Sequence, residues 1–309
     1  MIHEASGASG TSLYKYVDIA GLRRLLEGTV RFTQPSAFND PFELLPEIVI
    51  PDGEPEHRIN ISFDIMAARR LPPVGELDEL PDQSRASDAT SRDIVQQLNS
   101  LIGILSLSRI KDSLLMWSHY ADQYAGAVIE FDGAHEFFAG QLDVEYRPLR
   151  PRKHLSAYSA QHQPVPVAEL CAKSDHWRYE QEVRVIRVLA DCERAALDDR
   201  RGFPVYLRKM PIECIKSVIL GERTSVTDQR DIYARVKDTK IALSLAAVDH
   251  TGYSFRFERI KFDVPVSEVG PMMSPRTAHI FSGSPSQRGE FARWMVEKHP
   301  LSKIVNKPV

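Results

Sequence analysis

The pattern of apolar and polar positions is sharpest near the start of the chain. Leu13–Val17 reads as a short strand. Asp18 then stands where a helix N-cap should, before Ile19, Leu22, Leu25 and Leu26, which share one face of a helix running to about Glu27. Gly28 follows as the glycine past a helix end, and Val30–Thr33 resumes as a strand. Further on, the pattern predicts a helix over 91–100, a buried strand Ile102–Leu107, a helical stretch over 112–122, and strands Ala127–Phe131 and Leu142–Tyr146. A helix is expected near Val167–Lys173 and a strand over Glu182–Leu189, where Val183 and Val185 alternate with Glu182 and Arg184. Ile215–Leu220 reads as a strand, Asp228–Lys237 as a helix, and Ile241–Ala246 and Tyr253–Phe257 as late strands.

These elements predict an α+β class with a single mixed or antiparallel sheet core flanked by helices. Regular strand–helix alternation is missing, which argues against a doubly wound parallel sheet. Residues 1–11 read as a flexible leader and 12–265 as one domain. The proline-rich, acidic segment at about 51–95 reads as a surface excursion with a helix at Ile61–Ala68, and 148–167 as a surface loop. Residues 266–309 form an irregular tail with one helix at Gln287–Glu297.

Composition narrows the class of protein. Of 309 residues, 39 are basic and 42 acidic, so no global charge draws the chain to nucleic acid or an anionic membrane. Cys171, Cys192 and Cys214 fit no zinc or redox spacing. The first residues lack the apolar run of a secretory signal, and no stretch is apolar enough to span a bilayer. A cytoplasmic protein without a membrane partner is expected.

Three polar-aromatic clusters carry candidate chemistry. The first joins LYKY (13–16), with Tyr14, Lys15 and Tyr16, to FNDPFE (38–43), with Asn39 beside Asp40. Asn-Asp-Pro is also a common turn. The second runs from Ser106 and Ser108 through LLMWSHYAD, where Trp117 and Tyr120 lie on one helical stripe. Those two aromatics read first as core residues, with a half-exposed cleft wall as the alternative because each carries a polar group that wants a partner when buried. Asp112, His119 and Asp122 have no metal-ligand spacing. The third is YEQEVR (179–184): if extended, it points Glu180, Glu182 and Arg184 the same way. A salt-bridge ladder and a catalytic carboxylate set by its neighbours both fit that pattern.

The order LYKY, FNDPFE, SLS, DSLLMWSHYAD, GAVIEF, WRYEQEVR and VILG resembles a bacterial family catalogued as domain of unknown function 2971, over roughly residues 13–221. The layout is also similar to ADP-ribosyltransferases of the arginine–serine–glutamate type, which implies a split sheet of that kind and NAD as substrate. That resemblance implies Glu182 stabilising an oxocarbenium-like cation, with Glu180 activating the acceptor and Ser106 supporting Glu182. It implies Tyr120 or Trp117 stacking on nicotinamide, and Tyr14 and Tyr16 at the adenosine end, with Lys15, Ser108 and Asn39 as further cofactor-binding residues. Lys15 stands where that group has arginine or histidine, and FNDPFE has no counterpart there. The implied role is a toxin or phage-defence effector modifying a protein or nucleic acid, with an antitoxin or regulator as partner. Two alternatives compete: a metal-dependent nuclease using Asp40, Glu43, Asp112, Glu180 and Glu182, and a non-catalytic sensor or binding module.

Overall fold

A computed structural model describes residues 12–53, 61–65, 84–155 and 164–303. The chain is α+β and divides into two compact units, residues 1–29, 107–137 and 209–309 in the first and 30–106 and 138–208 in the second.

In the first unit five strands lie side by side in the order Phe255–Lys261, Ala242–Val248, Ile215–Leu220, Ala127–Asp132 and Ser12–Val17. The sheet is mixed. Ile215–Leu220 runs parallel to Ala242–Val248, across the helix Val226–Val236, and the other pairs are antiparallel. The middle strands are buried almost without interruption, which is why they read as apolar runs rather than alternating ones. Asp18 caps the helix Ile19–Leu26 by accepting from Gly21 N–H at 2.6 Å. Ser113 caps Leu114–Tyr120 in the same way. The tail helix spans Gln287–Lys298.

The second unit is built from short strands around one helix, Asp88–Leu101. Arg152–His154 runs parallel to Glu47–Pro51, whose other edge pairs with Ser84–Ala86. Ala172–Ser174 runs parallel to Glu145–Arg147, and Glu182–Val188 pairs antiparallel with Leu142–Asp143. The core gathers Leu44, Ile48, Ile94, Leu98, Ile104 and Ile186.

The sequence expectations need four corrections. The helix expected at Val167–Lys173 is a single 3₁₀ turn, Val167–Leu170, followed by the strand Ala172–Ser174. The stretch 61–65 contains the strand Phe63–Asp64 instead of a helical turn, and 66–68 lie outside the described residues. The loop expected over 148–167 holds the short strands Arg152–His154 and Val165–Pro166. Glu180 ends a 3₁₀ segment, Asp175–Glu180, and is not on the strand that begins at Glu182. Gln181 adopts a left-handed conformation (φ 43°) that breaks the extended run. The leader 1–11, 54–60 and 66–83 of the excursion, and 156–163 of the loop also lie outside the described residues. Among the described residues no helix is long and apolar enough to cross a membrane.

Candidate functional site

The second unit holds five charged side chains packed together with almost no exposure: Glu43, Lys173, Glu180, Glu182 and Arg184. Burying charge is costly unless partners replace water, so the cluster stands or falls on its internal pairing. Lys173 Nζ donates to Glu180 Oε2 at 2.6 Å and to Glu182 Oε2 at 3.1 Å. Arg184, with 0% exposure, grips Glu182 with two nitrogens, Nε to Oε1 at 2.9 Å and Nη2 to Oε2 at 3.1 Å. The same Nη2 lies 2.6 Å from Glu43 Oε1. Three carboxylates thus share two cations.

Local sequence explains how these groups meet. The register of Ala172–Ser174 on Glu145–Arg147 sets Lys173 beside Tyr146 and Ser174 beside Arg147. The Tyr146 hydroxyl accepts from Glu182 N–H at 2.8 Å, fixing the start of the next strand. On that strand Glu182 and Arg184 share a face through period-two alternation. The left-handed turn at Gln181 returns Glu180 to the same lysine. Glu43 comes from FNDPFE. There Asp40 Oδ1 accepts from Phe42 N–H at 2.9 Å, and Pro41 sits at the second position of a turn closed by Glu43 N–H on Asp40 O. Phe38, from the same motif, lies under the Arg184 guanidinium with its ring centre 6.0 Å away.

The electrostatics are asymmetric. Burial alone would raise the Glu182 carboxyl, but Arg184, Lys173 and the Ser106 hydroxyl hold it down at about 2. Burial pushes Glu43 above the ordinary carboxylate range, and Arg184 only partly offsets it. Its Oε2 accepts no hydrogen bond among the described residues. Lys173 is raised despite burial because Glu182 and Glu43 face it. The cluster therefore keeps one carboxylate firmly ionised beside another that resists ionisation, a contrast that typifies sites with divided acid and base roles.

Two cavities flank it. One, of about 190 Å³, is lined by Asp40, Phe42, Arg147, Arg150, Lys173 and Ser174. The other, of about 300 Å³, is lined by Phe38, Asn39, Asp40, Glu43, Gln96 and Arg201 among others.

The other candidate residues lie in the first unit. Trp117 has 0% exposure, donates Nε1–H to Lys111 O at 3.0 Å, and meets the rings of Tyr16 and Phe255 edge-on at 5.7 and 6.0 Å. It has no exposed face on which a ligand could stack. Tyr16 is buried and donates to Ile110 O at 3.0 Å. Tyr14 is half-buried opposite Glu130, and burial with that carboxylate raises its hydroxyl. Lys15 and Tyr120 are half-buried. Ser108 is buried, with its Oγ accepting from Ile110 N–H. Ser106, Glu180, Glu182 and Asn39 belong to the second unit, Asn39 exposed at the rim of the larger cavity.

Sequence reasoning missed Lys173 and the link from Glu43 to Arg184. A lone lysine in AKSD reads as a surface residue. The signal for Glu43 was the density of aromatic and acidic groups in FNDPFE. Of the five carboxylates considered for metal binding, Glu43, Glu180 and Glu182 are already paired with cations, and Asp112 belongs to the first unit. Among the described residues no group of three histidine, cysteine, aspartate or glutamate side chains is placed to hold a metal ion.

Residues 116–185 match the model of a family described as Protein of unknown function (DUF2971). The kinship read from the motifs is thus supported over that stretch, which contains Lys173, Glu180, Glu182 and Arg184 and leaves Glu43 outside. No curated protein and no solved structure matches the chain.

Proposed function

We propose that the chain is an ADP-ribosyltransferase-like enzyme that cleaves NAD and transfers ADP-ribose to a macromolecule. The observation that carries this reading is Glu182, held ionised at about 2 by Arg184 and Lys173, with Glu180 on the same lysine. A carboxylate fixed in its charged form suits a reaction whose transition state develops positive charge, because no reorganisation is needed as the charge appears. The ribose–nicotinamide bond breaks with its electron pair leaving on nicotinamide. The acceptor's lone pair forms the new bond to the ribose carbon, and its proton passes to Glu180. The acceptor is a protein or nucleic acid, and the biological setting a toxin or phage-defence effector held in check by an antitoxin or regulator.

A second reading, a non-catalytic binding module, draws on the 5% exposure of Glu182 and the internal pairing of the cluster. Nicotinamide release from NAD by the purified full chain separates the two. Glu182→Gln is expected to cut release by about a hundredfold or more. Glu180→Gln, which keeps both Arg184 contacts, serves as the companion variant, and thermal melts confirm folding. Absence of NAD turnover in the wild-type protein across protein and nucleic-acid acceptors leaves the binding-module reading in place.

A further inference from the structure

We propose that the cavity of about 190 Å³ between FNDPFE and the segment RPLRP (147–151) binds the phosphate end of a nucleotide-like ligand. The site goes beyond NAD cleavage, because it stands on the cavity alone.

Three features define the ligand. The first is charge. Arg147, Arg150 and Lys173 line the cavity, with Ser174 beside them. Lys173 is committed to Glu180 and Glu182, and Arg147 to Glu145 at 2.7 Å. Arg150 is half-buried and forms no ion pair among the described residues. A half-buried guanidinium without a carboxylate is matched best by an anion able to take two parallel N–H donors, as a phosphate does.

The second feature is an aromatic wall. Phe42 is 58% exposed, and the Arg150 guanidinium lies 5.8 Å from its ring centre. An exposed phenylalanine next to an arginine with no ion pair among the described residues offers a flat ring one face to stack on while the phosphate stays near the charge. Asp40, whose carboxylate is oriented by Phe42 N–H, lines the same space and can accept from a sugar hydroxyl. Its negative charge also restricts where an anion can sit, and so favours phosphate at the Arg150 end.

The third feature is rigidity and size. Pro148 and Pro151 fix the backbone of the arginine segment. One end is tied through Arg147 opposite Ser174, and the other through Glu47 N–H donating to Pro151 O at 2.7 Å. The space is smaller than the roughly 300–1,000 Å³ of a pocket for a drug-sized ligand. It therefore suits one end of a ligand, a phosphate with its attached sugar or ring, and not a whole dinucleotide.

Isothermal titration of the full chain with inorganic phosphate, pyrophosphate, AMP and adenosine tests the site. Saturable binding is expected for AMP and pyrophosphate, with adenosine much weaker. Arg150→Ala should weaken AMP and pyrophosphate by about tenfold or more, with the melting temperature unchanged. Phe42→Ala should weaken AMP and leave pyrophosphate as it was, which assigns the source to a nucleotide rather than free phosphate. Equal binding by wild type and Arg150→Ala, or no binding of any phosphate compound, overturns the proposal. The two proposals fail separately. Phosphate binding without nicotinamide release removes the NAD reading alone. NAD turnover that is indifferent to Arg150→Ala, with no AMP binding, removes this site alone.

Discussion

The aromatic cluster of the first unit and the charged cluster of the second bury polar side chains by opposite means. In the first, Trp117, Tyr16 and Phe255 meet edge-on, and the polar ends of Trp117 and Tyr16 are satisfied by backbone carbonyls at 3.0 Å. No charged group takes part in this aromatic cluster, which behaves as ordinary core. In the second, five ionisable groups are buried together, and the contacts among them stand in for the water they have lost. Sequence motifs of similar appearance, LYKY with LLMWSHY and FNDPFE with YEQEVR, therefore carry different physics. The aromatic cluster supplies packing energy. The charged one supplies an electrostatic field, and a field is what binding and catalysis need.

The largest effect that can break this contrast is Arg184→Met. Methionine fits the apolar surroundings, but it leaves Glu43 and Glu182 facing only Lys173. Removing one partner of a buried ion pair costs about 3–5 kcal/mol, mostly as the penalty of the stranded charges. Urea denaturation should show that loss at neutral pH. A loss under about 1 kcal/mol would mean that water already reaches the cluster, and the contrast with the first unit would disappear.

How much of this was legible beforehand follows from the range of the interactions. The caps at Asp18 and Ser113, the strand Ile215–Leu220 and the alternation of Glu182 and Arg184 are local, and the residues announce them. Glu43 meets Arg184 across the whole width of the second unit's sequence, and only tertiary packing makes that pair. Lys173 became visible through strand register against Glu145–Arg147, which is non-local for the same reason. Glu180 misled because E-Q-E-V looks extended throughout. The left-handed Gln181 carries no signature of its own, since glutamine is not a residue that favours that conformation. Trp117 could be placed on its helical stripe, but whether that stripe faced core or cleft depended on partners elsewhere in the chain.

Acid titration sharpens the comparison next. Glu182 sits at about 2 when folded against an ordinary 4.5. Its contribution is therefore complete above about pH 4.5 and is lost as pH falls toward 2. The loss is on the order of 3 kcal/mol. Glu43 has the opposite sign: its folded value is raised, so the native state holds the extra proton, and stability falls as pH climbs from 4.5 through that raised value. Urea midpoints between about pH 3 and 8 should show Glu182→Gln losing the acid limb and Glu43→Gln losing the decline on the alkaline side. Identical profiles for the two variants would dissolve the division of roles between the carboxylates.

The smallest expected effect belongs to the first unit. Tyr16→Phe keeps the ring that meets Trp117 at 5.7 Å and removes only the hydroxyl bonded to Ile110 O. A neutral hydrogen bond of this kind contributes about 1 kcal/mol. The Tyr16 hydroxyl is raised by burial far above neutrality, so it stays protonated and the change should be flat across the same pH range. That flatness is the telling part. A pH-dependent loss would mean the hydroxyl is coupled to a titrating group, with Asp112 the nearest acidic influence on it. The aromatic cluster would then share the electrostatic character of the cluster around Glu182 and Arg184.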